Sequence, residues 1–260
     1  MGQSPHMSRT LARALHGIAR LATAAQKPAR RAATLALLHE ATSQEVVVPT
    51  SAGPLRIACP SSRALHDPQG FGRDEPETVA WIESLSADAV LWDIGANIGL
   101  YALFAARRGL RVLAFEPSAA SFAAMLRSAE LNGLDRRLDA FCLALSDGSA
   151  VARLAMASST AGHSQHSIAA GPARYSQAVP AMGVDRFIAE FGAPPPTHIK
   201  LDVDGIEATI LRGAAGALAG VREVLVEVEG EATAREIPAL LATAGLLDVG
   251  GARRNRLFRR

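Results

Sequence analysis

The run Asp93-Ile-Gly95-Ala-Asn97-Ile-Gly99 joins an apolar stretch to a stretch with helical spacing, and its residue types suit a nucleotide-binding turn. Gly95 permits a tight turn, and Gly99 lets the following helix sit close to the strand. Asn97 is the non-glycine residue best suited to a left-handed backbone. Glu116 ends the next apolar run, 23 residues after Asp93. A carboxylate there can accept both hydroxyls of a ribose. An NAD site wants G-x-G-x-x-G, so that backbone can approach a pyrophosphate. Here the residue two after Gly95 is Asn97. S-adenosylmethionine has no pyrophosphate and does not need that approach, and Asp93 can hold its amino group or buttress the turn. An NAD-linked oxidoreductase is therefore the weaker alternative.

A second chemical stretch, KLDVDGIEATILRG (residues 200–213), looks at first like a calcium loop. An EF-type loop wants acids at positions 1, 3 and 5, glycine at 6 and a bidentate glutamate at 12. With Gly205 at position 6, Lys200 falls at position 1 and Leu211 at position 12. The first and last ligands are missing, and the segment before the loop is strand-like. What remains is a strand ending at Asp202, a turn through Asp204-Gly205, and a helix that Asp204 can cap. Asp202 then faces the cleft as a base, a metal ligand or a positioning group. Lys200 reads as an outward or sheet-edge charge.

These groups need a scaffold. From Ala89 the chain alternates strand and helix: VLWDIG, LYALFAARR closed by Gly109, RVLAFEP, SFAAMLRSAELNG stopped by Gly133, and LDAFCLAL. The alternation breaks at DGSAVARLAMA, a hairpin start, and resumes with HIKLDV, GIEATILRGAAGAL, EVLVEVEG and EIPALLATAG. LLDVGG and NRLFRR close as a hairpin. This pattern predicts an α/β fold: a doubly wound, mostly parallel sheet with ligand sites at the carboxyl ends of its strands. Three regions follow: a basic helical extension (1–44), a β-hairpin and turn-rich lead-in (45–75), and a Rossmann-like domain (76–260).

Charge is segregated. Of 27 basic and 25 acidic residues, six basic ones fall in 1–39 and five in 251–260, with no acid in either stretch. Residues 40–250 hold 16 basic against 25 acidic residues, a net of −9, which argues against tracking nucleic-acid phosphates. No apolar run is long enough to span a membrane. Cys59 and Cys142 fit neither a disulfide framework nor a zinc site, and the expected compartment is a reducing cytoplasm. In the first segment Leu11, Leu15 and Ile18 follow i, i+4, i+7 spacing with arginines between them. An acid-free, Arg- and Ala-rich stretch is also how an organelle transit peptide reads. Arginine outnumbers lysine 25 to 2 across the chain, so the bias is general and the stretch reads as a helical extension. Its basic helix is a candidate contact for a carrier protein or a membrane surface.

VLWDIGANIGLYALFAARRG, VLAFEPSAASFAAMLRSAELNGL, LALSDG and IKLDVDGIEATILRGA together resemble the FkbM-type methyltransferase family. EPETVAWIESL and NRLFRR are similar to it as well. The likeness covers about residues 74–260 and implies a class I, S-adenosylmethionine-dependent methyltransferase fold, commonly acting on hydroxyls of sugars or secondary metabolites. The resemblance places Asp93, Gly95, Asn97 and Gly99 around the methionine part of the cofactor and Glu116 at its ribose. It places the turn Ala144-Leu145-Ser146 near the adenine.

Methyl transfer to an alcohol needs a general base or a metal that lowers the alcohol's pKa. The candidates are Asp202, the histidines His163 and His166 in the irregular insertion, and a carboxylate site for magnesium or a similar cation from Asp202, Glu227 and Glu229. The insertion, residues 155–180, is expected to cover the site and carry acceptor specificity. The expectation is O-methylation of a small hydroxylated acceptor, with a homo-oligomer possible. The competing class is a binding or scaffold module that keeps the fold without turnover.

Overall fold

The computed structural model describes residues 5–156, 158–162, 175–228, 230–252 and 254–260. The chain divides into two units, Met1–Gln44 and Glu45–Arg260. The first holds helices α1 (Pro5–Ala22) and α2 (Pro28–Ala41). Pro28 stands at the start of α2, where its missing N–H has no helical partner to lose. No described helix is long and apolar enough to cross a membrane.

The second unit opens with a two-stranded sheet of β1 (Gln44–Val48) and β2 (Leu55–Cys59). Short helices α3 (His66–Gly70) and α4 (Pro76–Ser84) lead to the alternating body. Its elements are β3 (Val90–Ile94), α5 (Leu100–Arg107), β4 (Arg111–Phe115), α6 (Ala119–Asn132) and β5 (Leu138–Phe141). An insertion follows, with β6 (Ala144–Ser146), β7 (Ala150–Met156) and β8 (Tyr175–Gly183), then α7 (Val184–Phe191). The body resumes with β9 (His198–Leu201), α8 (Glu207–Arg212), β10 (Glu223–Glu227), α9 (Glu231–Thr243), β11 (Leu247–Ala252) and β12 (Asn255–Arg259).

The main sheet runs β11-β12-β10-β9-β3-β4-β5. β5, β4, β3, β9 and β10 are mutually parallel, while β12 is antiparallel to both its neighbours. From β3 the chain winds outward through β4 and β5, then returns to the other side of β3 as β9 and β10. The strand order reverses between β3 and β9, so a crevice opens at their carboxyl ends. The fold is thus the doubly wound, mostly parallel arrangement that the alternation predicts.

Period-two alternation feeds two cores. Leu91, Val112 and Ala114 point into one with Phe104 and Ile82. Trp92, Ile94, Leu113 and Phe115 point into the other with Phe187 and Leu201. Burying side chains such as Trp92, Phe115 and Phe187 contributes about 1.5–3 kcal/mol each. Trp92 also donates its ring N–H to the Pro194 carbonyl at 3.1 Å, so no polar atom of that ring is stranded.

Three local expectations need correction. LDAFCLAL is not one strand: Phe141 pairs with Phe115 in the main sheet, but Ala144–Ser146 pairs with Ala181–Gly183 of β8. The insertion offers a second sheet edge, and the chain leaves the first to reach it. β9 ends at Leu201, and Asp202 follows it with its N–H still donated to the Ile94 carbonyl at 3.0 Å. α8 begins at Glu207 with Ile206 as its N-cap, which puts Asp204 too early to cap it. The Glu207 carboxylate instead accepts the Gly205 N–H at 3.2 Å.

Candidate functional site

The turn after β3 is shaped by residues that tolerate positive φ. Gly95 has φ 86°, Asn97 51° and Gly99 82°, and Asn97 is the one such non-glycine among the described residues. A side-chain carbon on Gly95 would collide with the Asp202 carbonyl oxygen, and one on Gly99 with the Met125 side chain. Two loops from neighbouring strand ends, and two helices, approach only because these positions lack a Cβ. The Gly95 and Ala96 N–H groups donate to the Phe115 carbonyl at 3.0 and 3.1 Å, which ties the turn to the end of β4.

Glu116 follows directly on β4. Its Oε2 accepts the Asn97 N–H at 2.8 Å and its Oε1 accepts the Ser118 N–H at 2.7 Å. Burial pushes this carboxyl up to about 7, against the two N–H donors that favour its charged form. Gly95, Asn97, Glu116, Leu145, Asp202 and Ile206 are among the residues lining one cleft. Ala144 and Leu145 stand on its wall as strand residues rather than as a turn, while Ser146 is not among its lining residues.

Next to Asp202 lies a buried ion cluster. Lys200 is not an edge charge: β9 has β3 on one side and β10 on the other, and its side chain is only 6% exposed. Its Nζ lies 2.8 Å from Asp202 Oδ2, 3.7 Å from Asp93 Oδ1 and 5.4 Å from the centre of the Tyr101 ring. Burial alone would lower its pKa, but Asp202, Asp93 and Glu75 raise it on balance and hold the ammonium charged. Asp93 is fully buried, and burial raises its carboxyl even though Lys200 opposes this. Its Oδ1 has no hydrogen-bond partner.

Asp202 and Glu227 are hydrogen-bonded to one another at the ends of β9 and β10. Burial acts to raise Asp202, but the Lys200 ammonium prevails and holds it below the usual range. Burial and the Asp202 charge push Glu227 up to about 7, although Arg254 Nε lies 3.1 Å away. Of the two carboxyls Glu227 is the one that holds a proton more readily, and it loses it as pH rises through about 7.

Residues 93–247 match the methyltransferase FkbM domain, which is more than half of the chain. The chain belongs to the FkbM methyltransferase family. It is similar to the hexuronic acid methyltransferase AglP of Haloferax volcanii, with 27% identity over 170 residues that cover 64% of this chain and 66% of that protein. The chain thus spans just under two thirds of that relative's length. Among solved structures it is similar to the methyltransferase FkbM of Methylobacillus flagellatus KT. That match has a TM-score of 0.47 and 17% identity, and covers 70% of this chain and 46% of that one. The precorrin-6y C5,15-methyltransferase of Geobacter metallireducens GS-15 matches with a TM-score of 0.45 and 10% identity, covering 72% and 89%.

In this FkbM-family chain, Gly95, Asn97, Glu116, Ala144, Leu145 and Asp202 converge on the cleft. Asp93 does not line it; its carboxylate belongs to the Lys200 cluster instead. His163, His166 and Glu229 lie outside the described residues, as does much of the insertion expected to cover the site. Among the described residues no three His, Cys, Asp or Glu side chains gather as metal ligands, and the expected Asp202, Glu227 and Glu229 site includes Glu229, which lies outside them. Lys200 already supplies the positive charge beside Asp202.

The pattern of motifs missed several neighbours. Asp67 accepts the Asn97 side-chain N–H at 3.2 Å, and burial raises its carboxyl beside Glu75 and Asp202. Glu75 accepts from Thr78 at 2.9 Å and from Asn255 of β12 at 3.2 Å. The acid density of HDPQGFGRDEPET was the available signal, but such a stretch reads equally as a solvated turn.

Proposed function

We propose that this FkbM-family chain is an S-adenosylmethionine-dependent methyltransferase that methylates a hydroxyl of a sugar or natural-product scaffold. The observation carrying this reading is the pairing, across one cleft, of a ribose-type carboxylate with a base held charged by a buried lysine. Glu116 has the position and both oxygens for ribose hydroxyls, and Gly95 and Asn97 give the backbone cradle beside it. Ala144 and Leu145 supply an apolar wall for the adenine. When bound, S-adenosylmethionine supplies an electrophilic methyl group on a sulfonium.

The chain's own residues have two roles. They must aim the acceptor oxygen, and they must take its proton as the new C–O bond forms. Asp202 suits the second role, because Lys200 keeps it ionised and its side chain is 35% exposed where it meets the cleft. Proton transfer late in the displacement asks for a well-placed base more than a strong one. Glu227, the hydrogen-bond partner of Asp202, orients its carboxylate. A sugar acceptor is supported by the hexuronic acid methyltransferase relative.

The test is calorimetric titration with S-adenosylhomocysteine, followed by methyl-label transfer to a panel of neutral and acidic sugars. Micromolar binding with label on a sugar oxygen is expected. Undetectable binding at millimolar cofactor overturns the reading, and binding without transfer to any acceptor favours a non-catalytic module.

A further inference from the structure

The first unit has no role in the chemistry above, yet its side chains are sorted by face. In α1, Leu11, Leu15 and Ile18 repeat at i, i+4 and i+7, and Leu21 continues the stripe. These four side chains are between 58% and 77% exposed. Arg9, Arg13 and Arg20 each lie two residues from a stripe member, about 200° around the helix. The helix is therefore apolar along one side and cationic along the other, and no acid occurs anywhere in residues 1–39.

We propose that α1 is an interfacial helix that lies on anionic lipid. A helix seated against another protein would gain from mixed charges at the rims of its stripe, yet α1 offers cations alone. An anionic bilayer surface satisfies both faces at once: acyl carbons take the leucines, and lipid phosphates take the arginines as the helix lies in the plane. α1 is not apolar enough to span the bilayer, which leaves the in-plane orientation. Each arginine near such a surface strengthens partition by about fivefold. The body of the chain, at −9 between residues 40 and 250, is repelled by the same surface, and Arg254, Arg256 and Arg259 near the other end are ion-paired with acids of the sheet, so attachment falls to α1.

The experiment is co-sedimentation of the full chain with phosphatidylcholine vesicles, with and without phosphatidylglycerol. Partition should be at least about tenfold greater onto the vesicles holding phosphatidylglycerol. Leu11→Asp with Ile18→Asp should reduce that partition by at least about tenfold, with the thermal unfolding temperature unchanged. Arg13→Gln with Arg20→Gln should weaken binding to the anionic vesicles and leave the neutral ones unaffected. Absent partition, equal partition onto both vesicle types, or an unaffected Leu11→Asp, Ile18→Asp variant overturns the proposal. So does a fall in that variant's unfolding temperature, or its loss of a dimer seen by light scattering, because the stripe would then be packed against protein.

Discussion

Glu116 and Asp202 occupy equivalent places, each one residue past a parallel strand of the same sheet and each lining the same cleft. Their surroundings drive them apart. Glu116 has two backbone N–H donors and, among the described residues, no ion-pair partner, and burial lifts it to about 7. Asp202 has an ammonium at 2.8 Å and is held below the usual carboxylate range. A strand end offers a carboxylate to the cleft; the partner behind it decides what that carboxylate does. The first is suited to receiving neutral hydroxyls, the second to staying charged and taking a proton.

Variants can break this contrast. Asp202→Asn removes the proposed base and should lower kcat by about 10²–10⁴-fold, while S-adenosylhomocysteine affinity stays within about twofold. A parallel loss of affinity would place Asp202 in cofactor binding instead. Lys200→Met strands Asp93 and Asp202 without their cation and should reduce the unfolding free energy by about 3–5 kcal/mol in urea titrations. A change under about 1 kcal/mol would mean that the cluster is not charged as described. Glu116→Ala should weaken S-adenosylhomocysteine binding by about 100-fold, as expected for losing two hydrogen bonds to a charged group.

The finest distinction is in pH. Glu116 must be ionised to accept two ribose hydroxyls, so affinity should be level above about pH 7 and fall up to tenfold per unit below it. The two acids should also leave opposite marks on stability without cofactor. With a raised folded pKa, Glu116 makes the fold less stable as pH rises from 4.5 to about 7, and Glu116→Gln should remove its share of that decline and leave the share of Glu227. With a lowered one, Asp202 contributes stability that is present above pH 3.8 and lost as pH falls through its folded value. Calorimetry of the two variants across that range would separate them.

The glycine turn and the acid after β4 were legible because their requirements are local. Gly95, Asn97 and Gly99 occupy positions whose backbone angles few other residues accept, and Glu116 stands at the end of a strand readable from its own apolar run. Lys200 was not legible. A single lysine in HIKL reads as an edge charge, and nothing near it announces Asp93, which lies 107 residues earlier, as its neighbour. Asp67 and Glu75 were hidden for the same reason, since a turn rich in acids looks the same whether it meets water or a buried ammonium. The break between β5 and β6 escaped because pairing with β8 is a choice between two edges, and LDAFCLAL suits either.

By itself, the sequence determined the strand–helix alternation, the doubly wound sheet, the glycine turn and the acid that follows its second strand. Each depends on backbone preferences and on the period of apolar residues over a few neighbours. Tertiary structure alone decided which charges are buried together. Packing β9 between β3 and β10 took Lys200 out of water, and the cost of burying that charge drew Asp93 and Asp202 to it. Electrostatics at such a site depends on what is brought within a few ångströms, and sequence separation carries no record of that distance.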